Sequence, residues 1–597
     1  MSKKLLLSFA LSFFTLHSSI FTLHLSFSPA GAQTLAKNYK EVNNGNPLSP
    51  CVFCADPTAL QYDGRIYVYG SNDSQQFIKN SKSGSNSYGD IKSLVVFSSD
   101  DLCNWTFHGT IDVGKLCSGW GWRFAASWAP SVTWRLDANG NPEFFLYFAN
   151  SGGSIGVLKA SSPIGPWRSP LSKPMIDGDT PGVKPCNWIF DPGVVIDEEG
   201  TGWIAFGGGD PQSTGSKLMP GNSRIAKLKS TMLAIDGKAV NLPAPYLFEA
   251  SELNIINHRF VYTYNTSWSD RNDWNSYEGR NGQPAPSSCS MCYMVTDTPL
   301  DPDSWEYRGE YVPNEGNFGM GWGNNHTHMQ KYVPDDDQTT NAPNDQTTIS
   351  TNYYLFYHST LLEQTMNTGA SGFRSIGINK VNVREEDQKL GKVTLDKTGV
   401  SPIKALDPYK LQEAETMSTC GGISYEDFTN ISKPTSISSL GNDASRNLQV
   451  KMAEGAWTMI RKVEFGTQGA LSFMLRAKGT GTLQIRLGSK TAKPSATLEF
   501  SSTGFEDHVI DLDPTVFTGI KSIFFVFTEA TNVQFDAWQF SQIANGINEI
   551  VNSKPVNRKY YDLSGRPIQN PKGMRFVIER YTDENGQTHI RKQFQFK

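Results

Sequence analysis

The sequence predicts an all-β chain in which a β-propeller is followed by a β-sandwich of jelly-roll type, and three observations lead there. Aromatic residues make up 12% of the 597 positions and glycines number 53, a composition that favours strands and turns over helical bundles. From about residue 40 to 400, short alternating apolar runs follow one another with turn residues between them, and none sustains a helical period. A strand-turn-Trp-strand phrase also recurs, in "VVFSSDDLCNWTFHG", "GVLKASSPIGPWRSP" and "YMVTDTPLDPDSWEYRGEY", placing Trp105, Trp167 and Trp305 alike. Such a unit suits radially arranged four-stranded blades, because each blade needs the same outer hairpin while its inner strand converges on a central channel.

In chain order, residues 1–32 carry two lysines, an interrupted apolar stretch and Ala30-Gly31-Ala32, the pattern of an export signal cleaved near Ala32. The mature chain is then expected to be exported, to the periplasm, cell surface or medium, with no membrane span. Residues 37–402 hold the propeller strands, among them "RIYVYGS", "EFFLYFAN", "GWIAFGG" and "YYLFYHST", with the polar stretch 333–351 as a loop insertion. Residues 406–543 change texture to the longer alternating runs of a sandwich, and 544–597 form a short basic β tail. A formal net charge of -4 with scattered Lys and Arg excludes the footprint of a nucleic-acid binder. A neutral partner and a monomeric chain are expected.

Eight cysteines suit a few disulfides or buried thiols. Cys51 with Cys54 and Cys289 with Cys292 make two C-x-x-C pairs that could form a four-thiolate zinc site. Their separation in the chain favours disulfides or free thiols instead, and pairing of Cys51 or Cys54 with Cys289 or Cys292 stays open.

Carboxylates at the ends of apolar strands point into a propeller's shared mouth. Three stand out: Asp56 in "CADPTAL", Asp191 in "NWIFDPGVVIDEEG" and Glu249 in "APYLFEASELNIINHRFVYTY". A proline after Asp56 and after Asp191 restricts the backbone there.

These segments, with "SWAPSV" and "NNHTHMQKY…NYYLFYHST" in the same order, resemble glycoside hydrolase family 43 over about residues 40 to 400. The branch most similar contains arabinofuranosidases and xylosidases with a family 6 carbohydrate-binding module. The resemblance implies a five-bladed propeller, a central pocket and hydrolysis with inversion. It makes Asp56 the general base, Glu249 the general acid, and Asp191 the residue that orients the acid and tunes its pKa. An inverting enzyme needs one ionised and one protonated carboxyl about 6.5 to 9.5 Å apart, leaving room for water. Glu252 is the rival acid; the motif aligns Glu249. His326 matches a channel histidine often beside calcium, with His328 as its local competitor, and Trp128 and Arg374 match positions that bind substrate.

Residues 408–541 resemble a family 6 module, through "LQEAET", "GAWTMIRKVEFG" and "VQFDAWQF". That resemblance makes Glu413, Glu415 and Asp536 ligands of a structural calcium, a hard cation suited to carboxylates. Lys451 stands where a tyrosine is usual, and no tryptophan precedes "VQFDAWQF". The usual sugar cleft therefore lacks its stacking aromatics, and a bracing role is expected.

The function implied is a secreted inverting glycosidase that removes α-L-arabinofuranosyl groups from arabinoxylan, with no cofactor for chemistry. β-Xylosidase or bifunctional activity, an inactive sugar-binding propeller and a zinc protein are the alternatives.

Overall fold

The apolar runs read from the sequence form strands in a computed structural model that describes residues 34–209, 216–314, 326–334, 350–430 and 448–542. It also describes the tail strands Asn557–Tyr561, Pro567–Ile568, Phe576–Thr582 and Thr588–Phe594. The expected leader, 1–32, and most of the polar insertion, 335–349, lie outside the described residues. Leu94–Ser99 shows why these runs choose strand: β-branched and aromatic residues occupy "LVVFSS" and all six positions are buried, so both sheet faces are covered.

Five sheets follow one another, each built from consecutive segments. Their inner strands are Ala55–Tyr62, Trp128–Leu136, Gly193–Ile196, Leu247–Ile256 and Thr327–Lys331, in blades 1 to 5. The propeller expectation holds with five blades. Blade 2 has three full strands, and a bridge between Lys159 and Arg168 stands in for its fourth. The repeated tryptophans plug their blades. Trp105, Trp167 and Trp305 are 2%, 5% and 7% exposed, and burying each indole contributes on the order of 5 kcal/mol gross.

A second repeat appears at the mouth of the inner strands, in "ADPT", "WAPS", "FDPG" and "EASE". Asp56, Ala129, Asp191 and Ala250 each take positive φ, at 52°, 36°, 46° and 62°. Pairing slips between Ala55 and Thr58, Trp128 and Ser131, and Glu249 and Glu252. Left-handed residues and bulges turn the chain ends toward the axis at a cost on the order of 1 kcal/mol each. Hydrogen bonds from one blade to the next offset it. Val132 N donates to Thr58 Oγ1 at 3.2 Å, Val194 N to Ser131 Oγ at 2.9 Å and Ala250 N to Asp191 Oδ2 at 2.9 Å.

The ring closes through the segment before blade 1. Buried Asn46 donates to Tyr357 Oη, Ile378 O and Asp396 O and accepts from Ile378 N. Beyond the propeller, the 22-residue strand Ile520–Ser541 pairs with Ser472–Leu487 along one edge and with Trp457–Glu464 and Leu448–Met452 along the other. The sheet curls around Phe473, Phe525, Phe535 and Trp538. This module extends blade 1: Thr416–Met417 pairs with Thr106 and Trp105, and Asn104 exchanges two hydrogen bonds with the Arg461 backbone. A shared sheet and a shared apolar cluster tie the two together.

Of the alternatives open for the cysteines, free thiols are the form found. All eight cysteines are free thiols, and all but Cys186 are buried. Cys51 lies against Cys420 of the module, whereas Cys289 and Cys292 sit in blade 4 beside Asn265 and Tyr307. Burial, then Asp73 and Asp56, push the Cys54 thiol well up, which keeps it protonated and inert. Among the described residues, no helix is long and apolar enough to cross a membrane.

Candidate active site

The turned-in ends of the inner strands surround a pocket of about 640 Å³ lined by Asp56, Asp191, Glu249, Arg374, His326 and Trp128. Every propeller residue singled out in the sequence for catalysis or substrate contact meets there. The wall is completed by Tyr88, Ser151, Gly152, Trp188, Phe190, Phe248 and Trp268. Trp188 packs edge-on against Phe190 and Phe248 at 5.2 and 5.6 Å, and Trp128 is held by its Nε1 donating to Tyr88 O at 3.0 Å. A pocket with aromatic walls and few polar groups on its floor is the form that binds a sugar face and orients its hydroxyls.

Asp56 sits in a cage of donors. Arg374 Nη1 donates to Oδ1 at 2.6 Å and Ser71 Oγ to Oδ2 at 2.7 Å. His358 Nδ1 lies 3.1 Å from both Asp56 N and Oδ1. Burial alone would push this carboxyl up; Arg374, then His358 and His326, outweigh it and hold Asp56 well below the usual carboxylate range. It is ionised throughout the working range of pH.

Arg374 is in turn fixed by a residue the sequence reading passed over. Its Nε and Nη2 make a two-pronged ion pair with Asp73, each bond 3.0 Å, and its backbone N donates to the same carboxylate. Its guanidinium lies 5.1 Å over the Tyr88 ring. Asp73, His358, Tyr88 and Trp188 were all missed. Only Trp188 carried a local signal, two residues ahead of the Phe190-Asp191 pair in "NWIFDP".

The opposite side of the pocket is anionic. Burial and the negative charges of Glu249 and then Asp56 push Asp191 well above its ordinary range, against the hydrogen bond from Ala250 N. That bond also fixes the backbone next to Glu249, which is half-buried and faces the pocket. Glu252, the rival, is 1% exposed and points away, its Oε2 3.3 Å from His328 Nδ1. Neither Glu252 nor His328 lines the pocket.

His326 Nδ1 stands 3.9 Å from Asp56 Oδ1, beyond direct hydrogen bonding. Burial pushes it down to about 4 despite Asp56, leaving a neutral imidazole. In the module, Glu413, Glu415 and Asp536 are all buried. Both Glu415 oxygens and Asp536 Oδ1 have no hydrogen-bond partner, while Asp536 Oδ2 accepts from Arg476 at 3.0 Å. Burial and then Glu413 push Glu415 well up. This donor set has the chemistry of a hard-cation site. Even so, no group of three or more His, Cys, Asp or Glu among the described residues is disposed to hold a metal ion.

Comparison with known proteins agrees with this geometry. The profile of Glycosyl hydrolases family 43 matches residues 45–340, and that of Carbohydrate binding module (family 6) matches residues 413–542. An arabinoxylan arabinofuranohydrolase of Bacillus subtilis is 34% identical over 537 residues, covering 87% of this chain and 96% of that protein. One from Paenibacillus polymyxa is 33% identical, covering 86% and 77%. The crystal structure of a family 43 arabinoxylan arabinofuranohydrolase from Bacillus subtilis, in complex with cellotetraose, superposes with a TM-score of 0.72 at 32% identity. It covers 86% of this chain and 99% of that one.

Proposed function

Because the chain belongs to glycosyl hydrolase family 43 and is a glycosidase, we propose that it hydrolyses α-L-arabinofuranosyl side groups from arabinoxylan, with inversion at the anomeric carbon. The observation that carries this reading is one pocket with an arginine-held carboxylate, Asp56, on one side and the anionic pair Asp191 and Glu249 on the other. Its relatives named as arabinoxylan arabinofuranohydrolases supply the substrate class.

In this reading Asp56, ionised and aimed by Arg374 and Ser71, draws the proton from a water that attacks the anomeric carbon. Glu249 protonates the departing glycosidic oxygen. Burial, Glu249 and Asp56 push the Asp191 carboxyl well up, so the acid side is disfavoured from carrying two negative charges at once. Two carboxyl groups thus take opposite roles because a guanidinium faces one and a second carboxylate faces the other. Calcium belongs to the module in this account, at Glu413, Glu415 and Asp536, and takes no part in the chemistry. Export follows from the apolar segment ahead of Ala30-Gly31-Ala32.

The test is a panel of aryl α-L-arabinofuranoside, aryl β-D-xyloside and arabinoxylan with product analysis. Arabinose release from the first and third with little xylose supports the assignment. Xylose release alone would replace it with a xylosidase, and no sugar from any would leave only binding.

A further inference from the structure

We propose that Tyr88 binds substrate in the pocket, its phenol hydroxyl donating a hydrogen bond to a ring hydroxyl of the sugar held between Asp56 and Glu249. The inference rests on the glycosidase reading of that pocket and adds to it a residue that selects the sugar. Tyr88 belongs to the excursion 72–93, which joins the strands Arg65–Ser71 and Leu94–Ser99 of blade 1. It takes φ 61°, a left-handed conformation that a bulky residue keeps only where its surroundings hold it there.

Those surroundings come from two blades. Gly84–Ser85 pairs in parallel with Ala370–Ser371, from the connection between the blade 5 strands Ser350–Ser359 and Ser375–Arg384. Next in the chain, buried Asn86 donates to Asp73 Oδ2 and to Gly372 O, each at 3.1 Å, and accepts from Tyr88 N at 2.9 Å. The Tyr88 carbonyl accepts from Ile91 N at 3.3 Å and from Trp128 Nε1 at 3.0 Å. The ring lies against the Arg374 guanidinium. Backbone and ring are both committed to the structure of the pocket wall.

The hydroxyl makes no hydrogen bond among the described residues, although Tyr88 lines the pocket. Burial pushes the phenol up, opposed by Arg374 and reinforced by Asp73, Asp56 and Glu249, so it keeps its proton and stays a donor. Other donors of the wall are already engaged: Arg374 gives Nε and Nη2 to Asp73 and Nη1 to Asp56, and Trp128 gives Nε1 to Tyr88. A sugar hydroxyl that leaves water for this pocket needs a partner inside it. A donor placed for one hydroxyl discriminates against a sugar that lacks it or presents it elsewhere, since both groups are then left unpaired.

The test is Tyr88→Phe, which keeps the ring beside Arg374 and the carbonyl for Trp128. It is assayed against wild type on aryl α-L-arabinofuranoside and on the full set of its singly deoxygenated analogues. On the intact sugar kcat/KM should fall roughly tenfold, the loss expected for one neutral hydrogen bond. On the analogue lacking the partner hydroxyl, variant and wild type should agree within about twofold, because both deletions remove the same bond. The acid limb of the pH profile should stay in place, since Arg374 keeps its hold on Asp56. Unchanged kcat/KM on the intact sugar, a loss carried over to every analogue, or a displaced acid limb would overturn the contact. If wild type hydrolyses the aryl xyloside alone, the arabinose assignment fails, and the same comparison with deoxyxylosides still decides Tyr88.

Discussion

Arg374 donates to Asp56 Oδ1 at 2.6 Å with the edge of its guanidinium that Asp73 does not hold. One arginine therefore sets both the position and the charge of the carboxylate proposed as base. In Arg374→Met the largest lowering influence is gone and burial is left to raise Asp56. The acid limb of kcat/KM, which reports the base of the free enzyme, should then move up into the accessible range. Wild type should lose little activity between pH 7 and 5, and the variant much more. Asp73→Asn, which keeps the shape and frees the guanidinium, should lower kcat without raising that limb.

The two glutamates of "FEASE" should separate cleanly. Glu249→Gln removes the proposed proton donor and should cost at least about 100-fold on arabinoxylan, and much less on an aryl glycoside whose leaving group needs no proton. Asp56→Asn should fail on both. Glu252→Gln disturbs the buried contact with His328 and the acceptor of the Leu253 N hydrogen bond, both away from the pocket; it should cost about 1–3 kcal/mol of stability with kcat on the aryl substrate largely kept.

His326 gives the fold a pH dependence. Its folded pKa is pushed from 6.5 down to about 4, so the unfolded chain takes up a proton at a higher pH than the native one. The stability held above pH 6.5 is lost as pH falls through that window, to a total of about 3 kcal/mol. Thermal unfolding of His326→Phe between pH 7 and 4 should show a correspondingly flatter decline than wild type.

For the module, calcium should raise the melting temperature. The Glu415 oxygens and Asp536 Oδ1 are buried without partners and would be stabilised by a bound cation, whose saturation at about a hundred times Kd would contribute roughly 2.7 kcal/mol. Chelation should lower the transition in wild type and leave Glu415→Gln unmoved, as read by calorimetry.

The carboxylates were legible because each lies at the edge of an apolar strand, and Asp56 and Asp191 stand before prolines that mark the turned-in end. The tryptophan phrase likewise exposed the blades. Asp73 was not legible: it stands on a short helix 301 positions from Arg374, and only ring closure brings them together. The "ADPT", "WAPS", "FDPG", "EASE" frames were present in the sequence, but their meaning depends on positive φ and a pairing slip, which residue types alone do not reveal. Cysteine pairing was illegible for a related reason. Whether Cys51 or Cys54 pairs with Cys289 or Cys292 could not be read from spacing; one C-x-x-C lies in the closing segment beside the module and the other inside blade 4.

The most direct test of the central account follows arabinose release from arabinoxylan by proton NMR, beginning before the anomers equilibrate. A water activated by Asp56 and a leaving oxygen protonated by Glu249 predict that β-L-arabinofuranose appears first and the α anomer only later. First appearance of the α anomer, or no arabinose at all, would contradict the roles assigned to these two residues.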